Sequence, residues 1–367
     1  MFRTRVCVPL SGVLVLLSAV TLADCRPASA QSSVERASFE GQTIRIAVGT
    51  TAGAATDVLA RQLAPFISRH LPGKPIVAVE NRPGAGGVGA GGYIYNLAKP
   101  DGLVVGFLTG AVTQGLIGGE NIRFDPAKFG WIGAISSTQV LLAHKGLELS
   151  HFRDLLKPAK PLVMSSIGNN SSPDMANRLF LDMIGAKYQF VSGYPGQPEA
   201  ILALGRGEAN ITNAGHTVYL SRRASIRAEG IYDAILQRGE YAVDGTFQRN
   251  KQMNDIPTTF EAIAELNPSA MGSVDFAAYR GIVGAFTVHF GFVLPPGTPP
   301  AIFSTIRKAW SDALNDPEAR KAVTASLKID FDFVDGEASQ RIVEKIRAGY
   351  HSDARIAARL NQLMATK

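Results

Sequence analysis

Cysteine is nearly absent from this 367-residue chain: there are two, Cys7 and Cys25, both in the amino-terminal segment. Cleavage of that segment leaves none, so the folded part needs no disulfide. Catalytic signatures are missing too. There is no H-E-x-x-H to place two histidines on one helix face for zinc, no C-x-x-C dithiol, no G-x-S-x-G elbow and no G-K-[ST] phosphate loop. The six histidines are widely separated; His216 follows a strand and could line a cleft, while His70, His144, His151, His289 and His351 read as surface or packing positions. No metal and no cofactor is expected. No stretch after the first thirty residues is long and apolar enough to span a bilayer. The 37 basic and 31 acidic residues give a net charge of +6. The leader holds Arg3, Arg5, Arg26 and Asp24, so 34 basic and 30 acidic residues remain after it, a net +4. The basic residues are scattered and not striped with aromatics, which argues against nucleic acid as a partner.

What is present begins with that leader. Arg3 and Arg5 precede an apolar run over 6–22, and Ala28-Ser29-Ala30 stands before Gln31, the pattern of a secretory signal cleaved after Ala30. Pro9 and Gly12 interrupt the run, which disfavours a membrane anchor. Leu22-Ala23-Asp24-Cys25 resembles a lipoprotein signal, but Asp24 sits where a small residue is usual, so lipidation at Cys25 is the lesser reading. The remaining chain, 46% hydrophobic overall, can bury the core of one large or two medium domains.

Residues 43–71 organise the rest. Ile44, Ile46, Ala47 and Val48 read as a strand that stops at Gly49, passes small residues Thr50 to Thr56, and reopens as a helix with Leu59, Leu63, Phe66 and Ile67 on one face. Small residues let a ligand approach the backbone, and the first helical turn offers free N–H groups backed by the helix dipole: either an ordinary turn or an anion site. Pro65 is expected to kink or split the helix. A second strand over 75–80 leads into a glycine-rich loop, Asn81 to Gly92, and another follows Pro100-Asp101-Gly102 at 103–108. Gly84, Gly86 and Gly89 satisfy G-x-G-x-x-G, yet the dinucleotide fingerprint belongs to a domain's first strand, so a glycine-packed loop beside the first one is preferred.

After an apolar segment over 129–144, the opening pattern returns. Strand 162–166 enters Gly168, Asn169, Asn170, Ser171 and Ser172, then a helix over 175–184. Asp57 with Arg61, and Asp174 with Arg178, each put an acid in the first turn and a base four residues on, where they can pair. This is either coincidence or two similar domains facing one cleft. A third small-residue loop, 192–198, contains Tyr194, Gly196 and Gln197 before a helix over 199–204, and 210–213 is a further short strand. Within 221–291 only a helix over 259–266 is legible. Amphipathic helices then open at Pro299-Pro300 and Asp316-Pro317, and a last one runs over 337–350.

Glu80-Asn81-Arg82-Pro83-Gly84-Ala85-Gly86-Gly87, Thr56-Asp57, Pro100-Asp101-Gly102, Gly168-Asn169, Tyr194 with Gly196, and Pro296-Gly297-Thr298-Pro299 resemble, in order and approximate spacing, the receptors of tripartite tricarboxylate transporters, or Bug receptors. The resemblance implies a periplasmic receptor, two α/β domains of periplasmic-binding-protein type with a ligand cleft between them, that delivers a carboxylated metabolite to membrane transporter subunits. It implies contacts from Thr50, Thr51, Ala52, Gly53, Ala54, Thr56 and Asp57, from Ser166, Gly168, Asn169, Asn170, Ser171 and Ser172, and from Tyr194, Gly196 and Gln197, with Thr109, Thr138 and Asn213 as weaker candidates. The first loop lacks the family's aromatic, prolines and paired glycines, and Pro195 replaces its basic residue in the third, so the ligand's identity stays open. The domains expected are 39–137 plus 290–367, and 138–289. The expected role is binding by a monomer, with no nucleic acid and no catalysis; an exported enzyme acting on a small anion or nucleotide is the alternative. With no Lys or Arg in the three loops, charge would be met by N–H groups and hydroxyls, and Arg82 is expected to brace its loop.

Overall fold

The computed structural model describes residues 1–2, 37–84, 87–117, 122–168, 171–327 and 331–365. The expected secretory signal, with cleavage after Ala30, and Cys25 fall outside the described residues, as do Asn169 and Asn170.

Strand β1 (Thr43–Val48) puts Ile44, Ile46 and Val48 in one core and Ala47 in another, as an inner parallel strand does, with Thr43 and Arg45 exposed at its start. Helix α1 (Ala55–His70) covers the first of these with Leu59, Leu63 and Ile67. It continues on both sides of Pro65, so the proline does not split it. Pro65 is exposed, so the Arg61 carbonyl that loses its helical partner lies on the side that water can reach. Next come β2 (Ile76–Asn81), α2 (Val88–Asn96), β3 (Val104–Leu108), α3 (Ala111–Ile117) and β4 (Gly130–Ile135). The chain then builds β5 (Gln139–His144), β6 (Leu162–Ser166), α4 (Ser172–Ile184), β7 (Tyr188–Ser192), α5 (Gln197–Gly205), β8 (Ile211–Gly215), α6 (His216–Glu229) and β9 (Tyr232–Gln237).

A hairpin of β10 (Glu240–Tyr241) and β11 (Phe247–Gln248) leads to α7 (Thr259–Leu266) and α8 (Val274–Thr287). Helix α7 has the expected bounds, because Thr258 Oγ1 accepts from Glu261 N while the Glu261 carboxylate accepts from Thr258 N. Helix α8 was not legible: it is buried nearly all round, from Phe276 through Tyr279, Ile282 and Val283 to Phe286, and so has no polar stripe. The chain finishes with β12 (Phe290–Leu294), α9 (Pro300–Asn315), α10 (Pro317–Leu327), β13 (Phe333–Asp335), α11 (Gly336–His351) and α12 (Ala354–Ala365), the last not expected.

The strands form a six-stranded sheet, β13-β4-β12-β3-β1-β2, and a five-stranded sheet, β7-β6-β8-β5-β9. In the first, β1, β2 and β3 are parallel and β12 runs against β3 and β4. In the second, β6, β7 and β8 are parallel and β5 runs against β8 and β9. The chain crosses between sheets at 136–138 and returns after α8, and Ser137 N donates to Phe286 O at 2.9 Å, joining the crossings. One hydrophobic cluster reaches from Val104 and Trp131 of the first sheet to Leu141 and Met164 of the second through Phe180 of α4, Phe286 of α8, Ile346 of α11 and Leu360 of α12. Residues Arg36–Lys367 form one compact unit.

Candidate functional site

In an open parallel sheet the loops leaving the carboxyl ends of the strands carry helix N-termini, and ligands collect there. The expected site residues fall on that edge of each sheet. They form two groups, and among the described residues no hydrogen bond joins one group to the other.

The first group surrounds the β1–α1 loop. A Cβ on Gly49 would stand 3.0 Å from Gly87 Cα, so the two glycine loops touch backbone to backbone. Thr51, Ala52 and Gly53 are exposed, Thr50 and Ala54 half-buried, Thr56 buried, and Gly53 has φ +82. Ala54 is the N-cap of α1 and supplies no side-chain bond. Asp57 is turned back into its own loop: it accepts from Gly53 N at 2.9 Å, from Asn81 Nδ2 at 2.9 Å and from Arg61 Nε at 3.1 Å. The Arg61 hydrogen bond, aided by those of Gly53 and Asn81, holds the carboxyl at about 2. Asn81 also donates to Thr50 O at 3.0 Å, so the glycine-rich motif fixes the first loop. Arg82 pairs with Glu80 at 2.6 Å and lies 3.6 Å from the Tyr93 ring centre, the geometry of a brace. Thr109 is buried, its Oγ1 against Gly87.

The second group is more tightly bonded. Ser166 Oγ and Ser171 Oγ both donate to Asp174 Oδ2, at 2.8 and 2.6 Å, and Gly168 N donates to the same oxygen at 3.3 Å. Ser171 Oγ also accepts from Asp174 N as the N-cap of α4. Both serine protons are therefore directed inward. Burial pushes the Asp174 carboxyl up. Arg178 lays its guanidinium 4.3 Å from the Phe190 ring centre. Ser172 opens α4 half-buried. Tyr194 Oη donates to Glu208 at 2.8 Å, and Gly196, the N-cap of α5, supplies no side-chain bond. Thr138 Oγ1 donates to Gly239 O at 2.8 Å, and its carbonyl accepts from His216 N. His216 is fully buried, which lowers its pKa; the neutral ring places its proton on Nδ1, 3.1 Å from Thr138 O.

Four residues with no sequence signal complete this edge. Gln139 opens β5, Asn177 lies one turn inside α4, Arg238 follows β9, and Tyr279 belongs to α8; all are buried. Arg238 donates to Asn177 Oδ1, to Tyr279 Oη at 3.2 Å and to Pro173 O at 3.3 Å. Asn177 donates to Asn213, and Asn213 and Gln197 both donate to Gln139 Oε1. Arg238 sits in the stretch that could not be placed from sequence. Among the described residues, no three His, Cys, Asp or Glu side chains are grouped to hold a metal, and no helix is long and apolar enough to cross a membrane. Cavities of about 490 Å³, beside Leu162 and Gly185, and about 250 Å³, beside His144 and Asp233, lie away from these loops.

The chain is 26% identical over 298 residues to a UPF0065 protein of Bordetella pertussis, 78% of this chain and 81% of that protein. Its fold matches a solved TctC solute-binding protein from Polaromonas, at TM-score 0.68 and 20% identity over 89% of this chain and all of that one. A protein of R. palustris solved with adipate aligns at TM-score 0.58 and 20% identity, over 87% of this chain and 97% of that one. The fold is thus the two-domain α/β fold of periplasmic solute-binding proteins. A family model described as the tripartite tricarboxylate transporter family receptor matches residues 59–359, and the chain belongs to that receptor family.

Proposed function

We propose that the protein is an extracytoplasmic receptor that captures a small carboxylate, a di- or tricarboxylate or related organic acid, and passes it to the membrane subunits of a tripartite transporter. It acts as a monomer, exported with cleavage after Ala30. The lobes are 39–137 with 290–367, and 138–289, closing on the acid. The observation that carries this reading is the uncapped start of α1. Ala54 bonds nothing with its side chain, the loop before it is small and exposed, and Asp57 is held inward by Arg61, Asn81 and Gly53. Such a terminus meets an anion with backbone N–H groups and the positive end of the dipole. Contacts are assigned to 50–57, to 166–172, and to Tyr194, Gly196 and Gln197, with Thr109, Thr138 and Asn213 contributing less. The adipate held by a protein of the same fold supports the ligand class.

A thermal-shift panel of adipate, succinate and citrate tests the reading. An acid present at a hundred times its dissociation constant should stabilise the fold by about 2.7 kcal/mol. The acid should be recovered unchanged; its consumption would point to an exported enzyme, and no shift with any acid overturns the receptor reading. Intact-mass analysis of the extracytoplasmic protein should find Gln31 first, and a diacylated Cys25 would replace the soluble form with a tethered one.

A further inference from the structure

Arg238 carries a charge that the helix-terminus model leaves unused. It is 3% exposed at the carboxyl end of β9, and among the described residues its acceptors are neutral oxygens of Tyr279, Asn177 and Pro173. A buried guanidinium loses its hydration and keeps its charge at physiological pH, a costly arrangement unless some anion answers it.

The side chains around it convey that charge in one direction. Guanidinium can only donate, so it turns Asn177 Oδ1 toward itself and Asn177 Nδ2 away. Asn177 Nδ2 donates to Asn213 Oδ1 at 3.1 Å, and Asn213 Nδ2 donates to Gln139 Oε1 at 3.3 Å. Gln197 Nε2 donates to the same oxygen at 3.4 Å, while Gln197 Oε1 is occupied by Gly215 N at 3.0 Å. With its carbonyl oxygen taking two bonds, Gln139 presents Nε2 on its other side, where no described residue accepts from it. That nitrogen belongs to the first residue of β5, opposite Gly215 and hydrogen-bonded through its carbonyl to Arg238 N, at the edge where β8 and β9 end.

We propose that Gln139 Nε2 is a donor to the carboxylate of the bound acid and that Arg238 is the positioning residue that orients it and supplies the positive field behind it. This deepens the receptor reading and rests on it. A neutral amide at the end of an oriented chain is a fixed dipole, so it favours the ionised acid without the rotational freedom of a surface cation.

Calorimetric titration with whichever of adipate, succinate and citrate stabilises the wild type most decides the matter. Gln139→Glu keeps the acceptor that Asn213 and Gln197 need and replaces the donor by a carboxylate, so affinity should fall roughly ten- to a hundred-fold or more with the melting temperature close to wild type. Arg238→Met should lose affinity, and Arg238→Lys, which keeps charge and a donor, should recover it to within a few-fold; a purely structural arginine would change melting temperature alone. Wild-type protein that binds none of the acids overturns the receptor reading and this inference with it. Unchanged affinity in Gln139→Glu, with wild-type binding present, overturns the inference alone, whether or not the Arg238 variants fold.

Discussion

Asp57 and Asp174 each sit in the first turn of a helix behind a loop of small residues, yet their surroundings push the two carboxyls in opposite directions. Asp57, held at about 2 chiefly by its Arg61 hydrogen bond, contributes stability that is present above the ordinary carboxylate range and is lost as pH falls through about 2. Burial raises Asp174, so its ionisation weakens the fold, and the advantage of the protonated form is lost as pH rises through its folded value. Asp57→Asn should therefore lower the urea midpoint at pH 7, an effect that vanishes near pH 2. Asp174→Asn should leave the midpoint at least as high as wild type; equal losses in both would contradict this assignment. Arg82→Gln should lower the melting temperature while leaving acid affinity within a few-fold, because Arg82 is committed to Glu80 and Tyr93. A folded variant that no longer binds would make Arg82 an anion contact. The Asp57–Arg61 pair was legible from its spacing, since an acid and a base four apart on a helix are neighbours; the same spacing at Asp174 and Arg178 was not enough, because Asp174 turns to Ser166, Ser171 and Gly168 instead. The Ser166–Ser171–Asp174 cluster needs the end of β6 to meet the first turn of α4, and the chain from Arg238 to Gln139 joins the end of β9, α4, β8 and β5, so neither was legible from spacing.

At the scale of elements, helices with one apolar face could be read from their period, and α1, α7, α9 and α11 lie close to the expected positions. Helix α8 could not, since burial on all sides erases the periodic signal. Helix α12 could have been: Ile356, Leu360 and Leu363 repeat at helical spacing and are buried. Of the two outcomes expected at Pro65, the split does not occur: a proline costs most where its lost hydrogen bond is buried, and here the position is exposed. Pro65→Ala restores an N–H and a good helix former, so it should raise unfolding free energy by about 1 to 3 kcal/mol. A urea titration showing no gain would mean that the lost bond is already fully replaced.

Across the whole molecule, the cluster shared by α4, α8, α11 and α12 gives one face of each sheet a common interior. Heating should therefore produce one calorimetric transition in the ligand-free protein, with van't Hoff and calorimetric enthalpies equal; two resolved peaks would mean that the sheets melt separately. Gly281 of α8 leaves room for a neighbouring ring, since a Cβ there would lie 2.4 Å from Tyr350 Cζ of α11. Gly281→Ala must displace that ring, so the single transition should move down by several degrees as one peak.

Tyr350 and Leu360 also tie distant parts of the chain together. The interior that unites the two sheets is completed by α11 and α12, which stand far in sequence from Val104 and Met164 of the same cluster. Contacts between such separated positions require large loops to close first, so this interior should form late and slowly compared with any single helix.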